Sequence, residues 1–227
     1  MRPLCKRLYI DSGCKGEKEM MGDILAIIGI FYLSVFIHEI GHCVMPRLAG
    51  IKEFNNIYIG IGNELHKFKI GHVSIVMNKF LIPFGHVGGN EEIKYNKFNV
   101  LQRTFVHLGG ITFNLVIAII AFGAIYYSNH DFLLIGSFAS LISYIFKSVV
   151  NSSLWIFQNG FEGLTALLNA KRNLGIYYYL YILGIINSFI FIFNTIPIPM
   201  MIKNGKVLFN DGGQFIFKGL LNKDTSC

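Results

Sequence analysis

The chain has 227 residues, of which 53% are hydrophobic, only 15% are charged and 21 are Phe. Soluble domains carry about 25% charged residues, so this composition excludes an ordinary soluble domain, a disordered chain and a collagen-like one. The formal charge of +7 fits Lys and Arg gathered in the cytoplasmic loops of a membrane protein; no basic patch interleaved with stacking aromatics favours a nucleic-acid partner.

Residues 1–21 form a polar leader of mixed charge. A first apolar segment covers about 22–45, whose 24 residues would extend about 36 Å as a helix, enough to span a bilayer. A β-rich loop follows at 52–100, where IYIGI, HKFKI, HVSIVM and KFLIPF lie between Gly and Asn punctuation and read as hairpins. A second apolar segment covers about 104–128 and a last one about 175–199. Between them, residues 132–157 carry Lys147 at their middle, a costly charge at membrane depth. That segment reads as interfacial or as a shallow hairpin, with a fourth full span as the alternative. The expected fold is therefore a mainly α-helical membrane protein of three to four transmembrane helices, with a small β-rich membrane-associated loop between the first two. Residues 22–227 form a single domain on this reading.

Charge sets the orientation. Residues 46–103 hold eight Lys/Arg and residues 129–131 none, which puts the β-rich loop in the cytoplasm and the short connection outside. The leader then falls outside despite its five Lys/Arg. Met20 and Met21 follow Lys-Gly-Glu-Lys-Glu, a run whose codons suit a purine-rich bacterial ribosome-binding site. Translation is expected to start at one of these methionines, leaving residues 1–19 untranslated.

The four cysteines form no C-x-x-C pair, so free thiols are expected and Cys43 is read as a packed small residue. The sharpest motif is His38-Glu39-Ile40-Gly41-His42, at the end of the first apolar segment. On a helix, positions i and i+4 share a face, so the two imidazoles can hold one Zn²⁺ and the glutamate beside them can serve as a base. A catalytic zinc needs a third protein ligand. Candidates near apolar segments are His107, His130, Asp131, Glu162 and Asp211. Asp211 stands out because Asn194-Thr-Ile-Pro-Ile-Pro199 breaks a helix at membrane depth upstream of it and two glycines follow it. The other histidines (His66, His72, His86, and His107 and His130 apart from that candidacy) read as exposed, interfacial or locally hydrogen-bonded.

Taken in order, F-I-H-E-I-G-H, the β-rich loop, L-G-G-I-T-F-N with Gly109, Gly110 and Asn114, N-x-x-P-x-P and D-G-G resemble the site-2 protease family of intramembrane zinc metalloproteases. The resemblance covers most of residues 24–216, with Gly110-Ile111 standing where the family has Gly-Pro, and no PDZ insert has room between the second and third apolar segments. It implies one Zn²⁺ per chain held by His38, His42 and Asp211, with Glu39 as the general base. Asn194 and Asn114 would position the substrate backbone. The β-rich loop would offer an edge, within 66–83, to an unwound substrate strand. In the family the aspartate comes sooner after the second proline; here Met200–Asn210 intervene. Their Asn204-Gly205 pair reads as a hairpin turn that returns Asp211 to the site.

The resemblance implies a metalloendopeptidase of a bacterial inner membrane, its active site toward the cytoplasm. It would cut a peptide bond in or near a transmembrane segment of a membrane protein or a leftover signal peptide, with the lipid bilayer as its other partner. The alternatives are a catalytically silent member that binds transmembrane helices and a small metal transporter.

Overall fold

The computed structural model describes residues 3–88, 97–129, 142–152, 154, 177–203 and 206–221, without the side chains of residues 3–20, 83, 201–208 and 219. Helix α1 runs Pro3–Leu48, followed by strands β1 (Asn56–Ile70) and β2 (Val73–Gly88), then helix α2 (Val100–Asn129). Residues 142–152 form helix α3. Helix α4 (Tyr178–Thr195) leads into a second hairpin, β3 (Pro199–Lys203) and β4 (Lys206–Phe209), then the short α5 (Asp211–Gln214) and a π-helical turn, Phe215–Leu220.

Three helical stretches among the described residues are long and apolar enough to cross a membrane: Met21–Leu48, Val100–Ser128 and Tyr178–Thr195. Leu25, Ile28 and Leu33 on α1 and Val116, Ile119 and Ile120 on α2 are exposed, the surface expected of spans whose solvent is lipid. The segment 132–157 lies largely outside the described residues. Its α3 part packs Val149 against Ala118, Phe122 and Ile125 of α2 and Ile185 of α4. The last span ends at Thr195, earlier than the expected 199. Pro197 disfavours helical backbone at the residue before it and cannot donate its own N–H, and Ile196 is already extended (φ −77°, ψ 129°).

Helix α1 antiparallels α2 and runs alongside α4 in the same sense. Asp23 accepts from the Tyr179 hydroxyl at one end (2.8 Å), and Asn187 of α4 reaches Ser34 of α1 further along (2.9 Å). The α1–α2 approach is closest at Gly41 and Gly109, where any Cβ would strike the facing backbone, the small-residue contact common between membrane helices.

The first hairpin bends back on itself. Ile57, Tyr58 and Ile59 pair with Ile75, Val76 and Met77 on one side and with Val87, His86 and Gly85 on the other, while Lys67–Ile70 pair with Val76–Val73. The start of β1 is thus flanked by both halves of β2. Gly60 and Gly62 permit the bend with φ of +81° and +98°, values that side chains with a Cβ rarely adopt. The Tyr32 hydroxyl donates to the Leu81 carbonyl and ties the sheet to α1. Phe80, Leu81, Ile82 and Phe84 are exposed, an apolar patch suited to contact with lipid.

Candidate metal centre

His38 and His42 lie one turn apart near the end of α1, with ring centroids 4.9 Å apart and ring planes at 76°. Each imidazole is held from behind. His38 Nδ1 lies 2.5 Å from Asn114 Oδ1 of α2, and His42 Nδ1 lies 2.8 Å from the Val106 carbonyl. A carbonyl only accepts, so His42 carries its hydrogen on Nδ1 and turns the bare Nε2 inward. The two Nε2 atoms are 3.2 Å apart.

Asp211 completes the cluster. Its Oδ2 lies 2.8 Å from His38 Nε2 and 3.2 Å from His42 Nε2. It arrives there through the second hairpin, whose strands pair antiparallel with Lys203 opposite Lys206. The side chain of Asn210 then fastens the returning chain to the end of α4. Its Nδ2 donates to the Phe193 and Ile196 carbonyls, both at 2.7 Å, and its Oδ1 accepts from the backbone N–H groups of Ile198 (2.9 Å) and Gly213 (3.3 Å). Asn210 is also the N-cap of α5, a role its side chain suits. Gly212 permits the close fit: a Cβ there would lie 2.7 Å from the Asn194 carbonyl oxygen.

These atoms fit a metal ion. The candidate ligand atoms of His38, His42 and Asp211 all lie within 4.8 Å of one another. A tetrahedral zinc with ligands at about 2.0–2.2 Å separates them by about 3.3–3.6 Å, close to the spacings of 2.8, 3.2 and 3.2 Å here. Nitrogen and carboxylate donors are the set zinc favours. The cluster can hold one ion.

The backbone around the cluster is bare for a reason. A Cβ on Gly110 would lie 2.5 Å from His38 Nε2 and 2.6 Å from His42 Nε2, so both rings rest on α2 where no side chain intrudes. Gly85 of β2 plays the same part for Glu39, since its Cβ would come within 2.6 Å of Glu39 Cγ. Glu39 is buried and shares with His38, His42, Asn194 and Asp211 a cavity of about 640 Å³, walled by Phe31, Phe84, Phe189, Phe193 and Phe209.

Of the residues singled out in the sequence, His38, His42 and Asp211 converge, and Glu39 and Asn194 face the same cavity. Asn114 is fully buried behind His38 rather than on the cavity wall. His107 is buried beside the cavity; His130, Asp131 and Glu162 lie outside the described residues. The strand stretch on the cavity is Phe84–Val87, just beyond the expected 66–83, because the bend at Gly60 and Gly62 brings the end of β2 against the start of β1. Among that stretch, His86 stacks on Tyr58 (4.6 Å, 6°) and burial lowers its pKa. Asn210 and Asn187 were missed. Asn210 had a signal, an Asn directly before D-G-G at a helix start, whereas Asn187 is a lone polar residue in an apolar run.

Membrane-spanning helices, an H-E-x-x-H helix and a distant aspartate meeting its imidazoles define a multi-pass membrane protein of metalloprotease type. The chain belongs to peptidase family M50, whose sequence profile matches residues 26–221, and the resemblance to site-2 proteases is borne out. Two Helicobacter pylori proteins, each bearing the name "Putative zinc metalloprotease", are 30% identical over 114 residues (strain J99) and 29% identical over 112 residues (strain 26695). Each match covers 44% of this chain and 31% of the relative. A Chlamydia trachomatis protein of the same name is 25% identical over 151 residues, covering 58% of this chain and 24% of its own length. The chain thus spans about a quarter to a third of the length of these curated relatives. Bacterial relatives and three candidate spans make this a bacterial multi-pass membrane protein.

Proposed function

We propose that the protein is a zinc-dependent intramembrane endopeptidase. The observation that carries this reading is the convergence of His38, His42 and Asp211 in one cavity with the buried Glu39. His38, His42 and Asp211 would hold Zn²⁺, which would supply a Lewis acid for the peptide carbonyl and a more nucleophilic water near neutral pH. Glu39 takes the proton from the attacking water and passes it to the leaving amine. The aromatic walls give the site an apolar surround, in which fixed dipoles act more strongly than in water. Asn194, on the cavity wall, donates to the substrate backbone.

A transmembrane substrate hides its scissile amide in helical hydrogen bonds and must unwind before cleavage. Within the stretch Phe84–Val87, Gly85, His86 and Val87 pair with β1 alone among the described residues. Its other edge is suited to receive the unwound strand beside Glu39. The substrate is then a transmembrane segment of a membrane protein or a leftover signal peptide. The basic loop 46–103 favours a site on the cytoplasmic side of a bacterial inner membrane, with residues 22–227 acting as one domain. The interval Met200–Asn210, the best support for a silent helix-binding protein, ends with Asp211 2.8 Å from His38.

The test is cleavage of a model transmembrane substrate by reconstituted native protein and by Glu39→Gln, with zinc content measured for both. Loss of the base is expected to cost about 10²–10⁴-fold in rate with zinc retained. Equal cleavage by the variant would remove Glu39 from its role.

A further inference from the structure

Behind His38, outside the cavity at the metal site, lies a polar chain. Ser34, Asn114 and Asn187 come from α1, α2 and α4, and all three are 0% exposed. Burying two amides and a hydroxyl among membrane helices is costly unless every group is paired. Here the accounting closes. The amide of Asn114 donates to Asn187 Oδ1 (2.6 Å) and to the Ser34 carbonyl (3.3 Å). Asn187 donates to Ser34 Oγ and to the Leu183 carbonyl, both at 2.9 Å, and the Ser34 hydroxyl donates to the Ile30 carbonyl (2.8 Å). All five hydrogens have an acceptor.

The chain has a direction. The carbonyls of Ser34, Leu183 and Ile30 can only accept, so they fix which end of each amide is the NH₂. Asn114 must therefore turn Oδ1 toward His38 Nδ1, 2.5 Å away. An acceptor there requires the hydrogen on Nδ1, which leaves Nε2 as a bare lone pair facing Asp211 and His42. Partners of this kind orient a ligating imidazole and raise its basicity.

We infer that Asn187 and Ser34 are positioning residues for the metal centre: with Asn114 they form a one-way hydrogen-bond chain that locks His38 in the Nδ1–H tautomer. Neither touches the metal ligands directly among the contacts above; both act through the Asn114 amide. A leucine at 187 removes the acceptor from one Asn114 hydrogen and frees the amide to rotate. An alanine at 34 removes the acceptor for Asn187. His42 is fixed separately by the Val106 carbonyl, so the chain predicts an effect on one imidazole and not the other.

This inference rests on the proposed zinc site, and the experiment separates the two. Native protein, Asn187→Leu and Ser34→Ala, labelled with ¹⁵N-histidine in detergent micelles, are read by NMR for the tautomers of His38 and His42. Their Zn²⁺ affinity is measured by chelator competition. The expected result is a loss of the single Nδ1–H tautomer at His38 alone, with zinc affinity about 10–100-fold weaker in Asn187→Leu. An unchanged His38 tautomer with unchanged affinity in both variants overturns the inference, as does a parallel change at His42, which marks general loosening of the bundle. If Asn187→Leu does not fold, Ser34→Ala decides by the same readings. Native zinc affinity in His38→Ala would instead reject the metal site itself.

Discussion

Replacing Gly110 by alanine tests the packing that makes room for the metal. The new Cβ would sit 2.5 Å from His38 Nε2 and 2.6 Å from both His38 Cε1 and His42 Nε2, where ordinary contact begins at 3.4 Å. A gap of about 0.9 Å must open, whereas ligand positions tolerate only about 0.2 Å. The far end of a flexible side chain often yields cheaply, but these rings cannot swing. His38 is held at Nδ1 by Asn114 and His42 at Nδ1 by Val106, so relief comes from breaking one of those bonds or from pushing α2 away. Either route disorders a ligand, and zinc affinity is expected to fall at least about 100-fold. Gly123→Ala on the same helix is the control, because its Cβ would meet only Ile145 Cδ1 at 3.9 Å. Chelator competition on both purified variants gives the answer. Native zinc affinity in Gly110→Ala would refute the claim that the rings are confined by that backbone.

Asn210→Ala removes four hydrogen bonds, three to the end of α4 and the residues just after it and one that caps α5. At about 0.5–1.5 kcal/mol each, the loss is about 2–6 kcal/mol; thermal melting and zinc content should both drop, and stoichiometric zinc with an unchanged melt would show that Asp211 is held by other means. Gly85→Ala pushes on Glu39 and not on the ligands, so cleavage should fall while zinc stays bound; loss of zinc with it would contradict the separation of base and metal. Gly184→Ala places a Cβ 2.9 Å from the Phe122 ring, an overpacking expected to cost about 1–3 kcal/mol, read as a lower melting temperature with zinc affinity intact.

The sequence exposed the parts of this molecule that repeat a local rule. Apolar runs marked the three spans because lipid demands them along the whole length of a helix. His38, Glu39 and His42 were legible because one helical turn puts them on one face. Pro197 and Pro199 announced the broken end of α4, and Asn204-Gly205 foretold a hairpin whose strands do pair. What stayed hidden depends on contacts between distant segments. Asn187 is one polar residue in an apolar helix, and only the meeting of three helices shows where its amide goes. For Asn114 the resemblance implied a place on the substrate backbone; its contact with the back of His38 becomes visible only where α1 and α2 meet. The cavity-facing strand fell at Phe84–Val87 because two glycines fold β1 back, a register that alternation alone does not encode.

X-ray absorption at the zinc edge of the purified protein addresses the centre most directly. The structure predicts one zinc per chain with two imidazole nitrogens and a carboxylate oxygen among its ligands, and one imidazole fewer in His42→Ala. A sulfur scatterer, which would implicate Cys43, or a zinc signal indifferent to loss of His42 and Asp211, would contradict it.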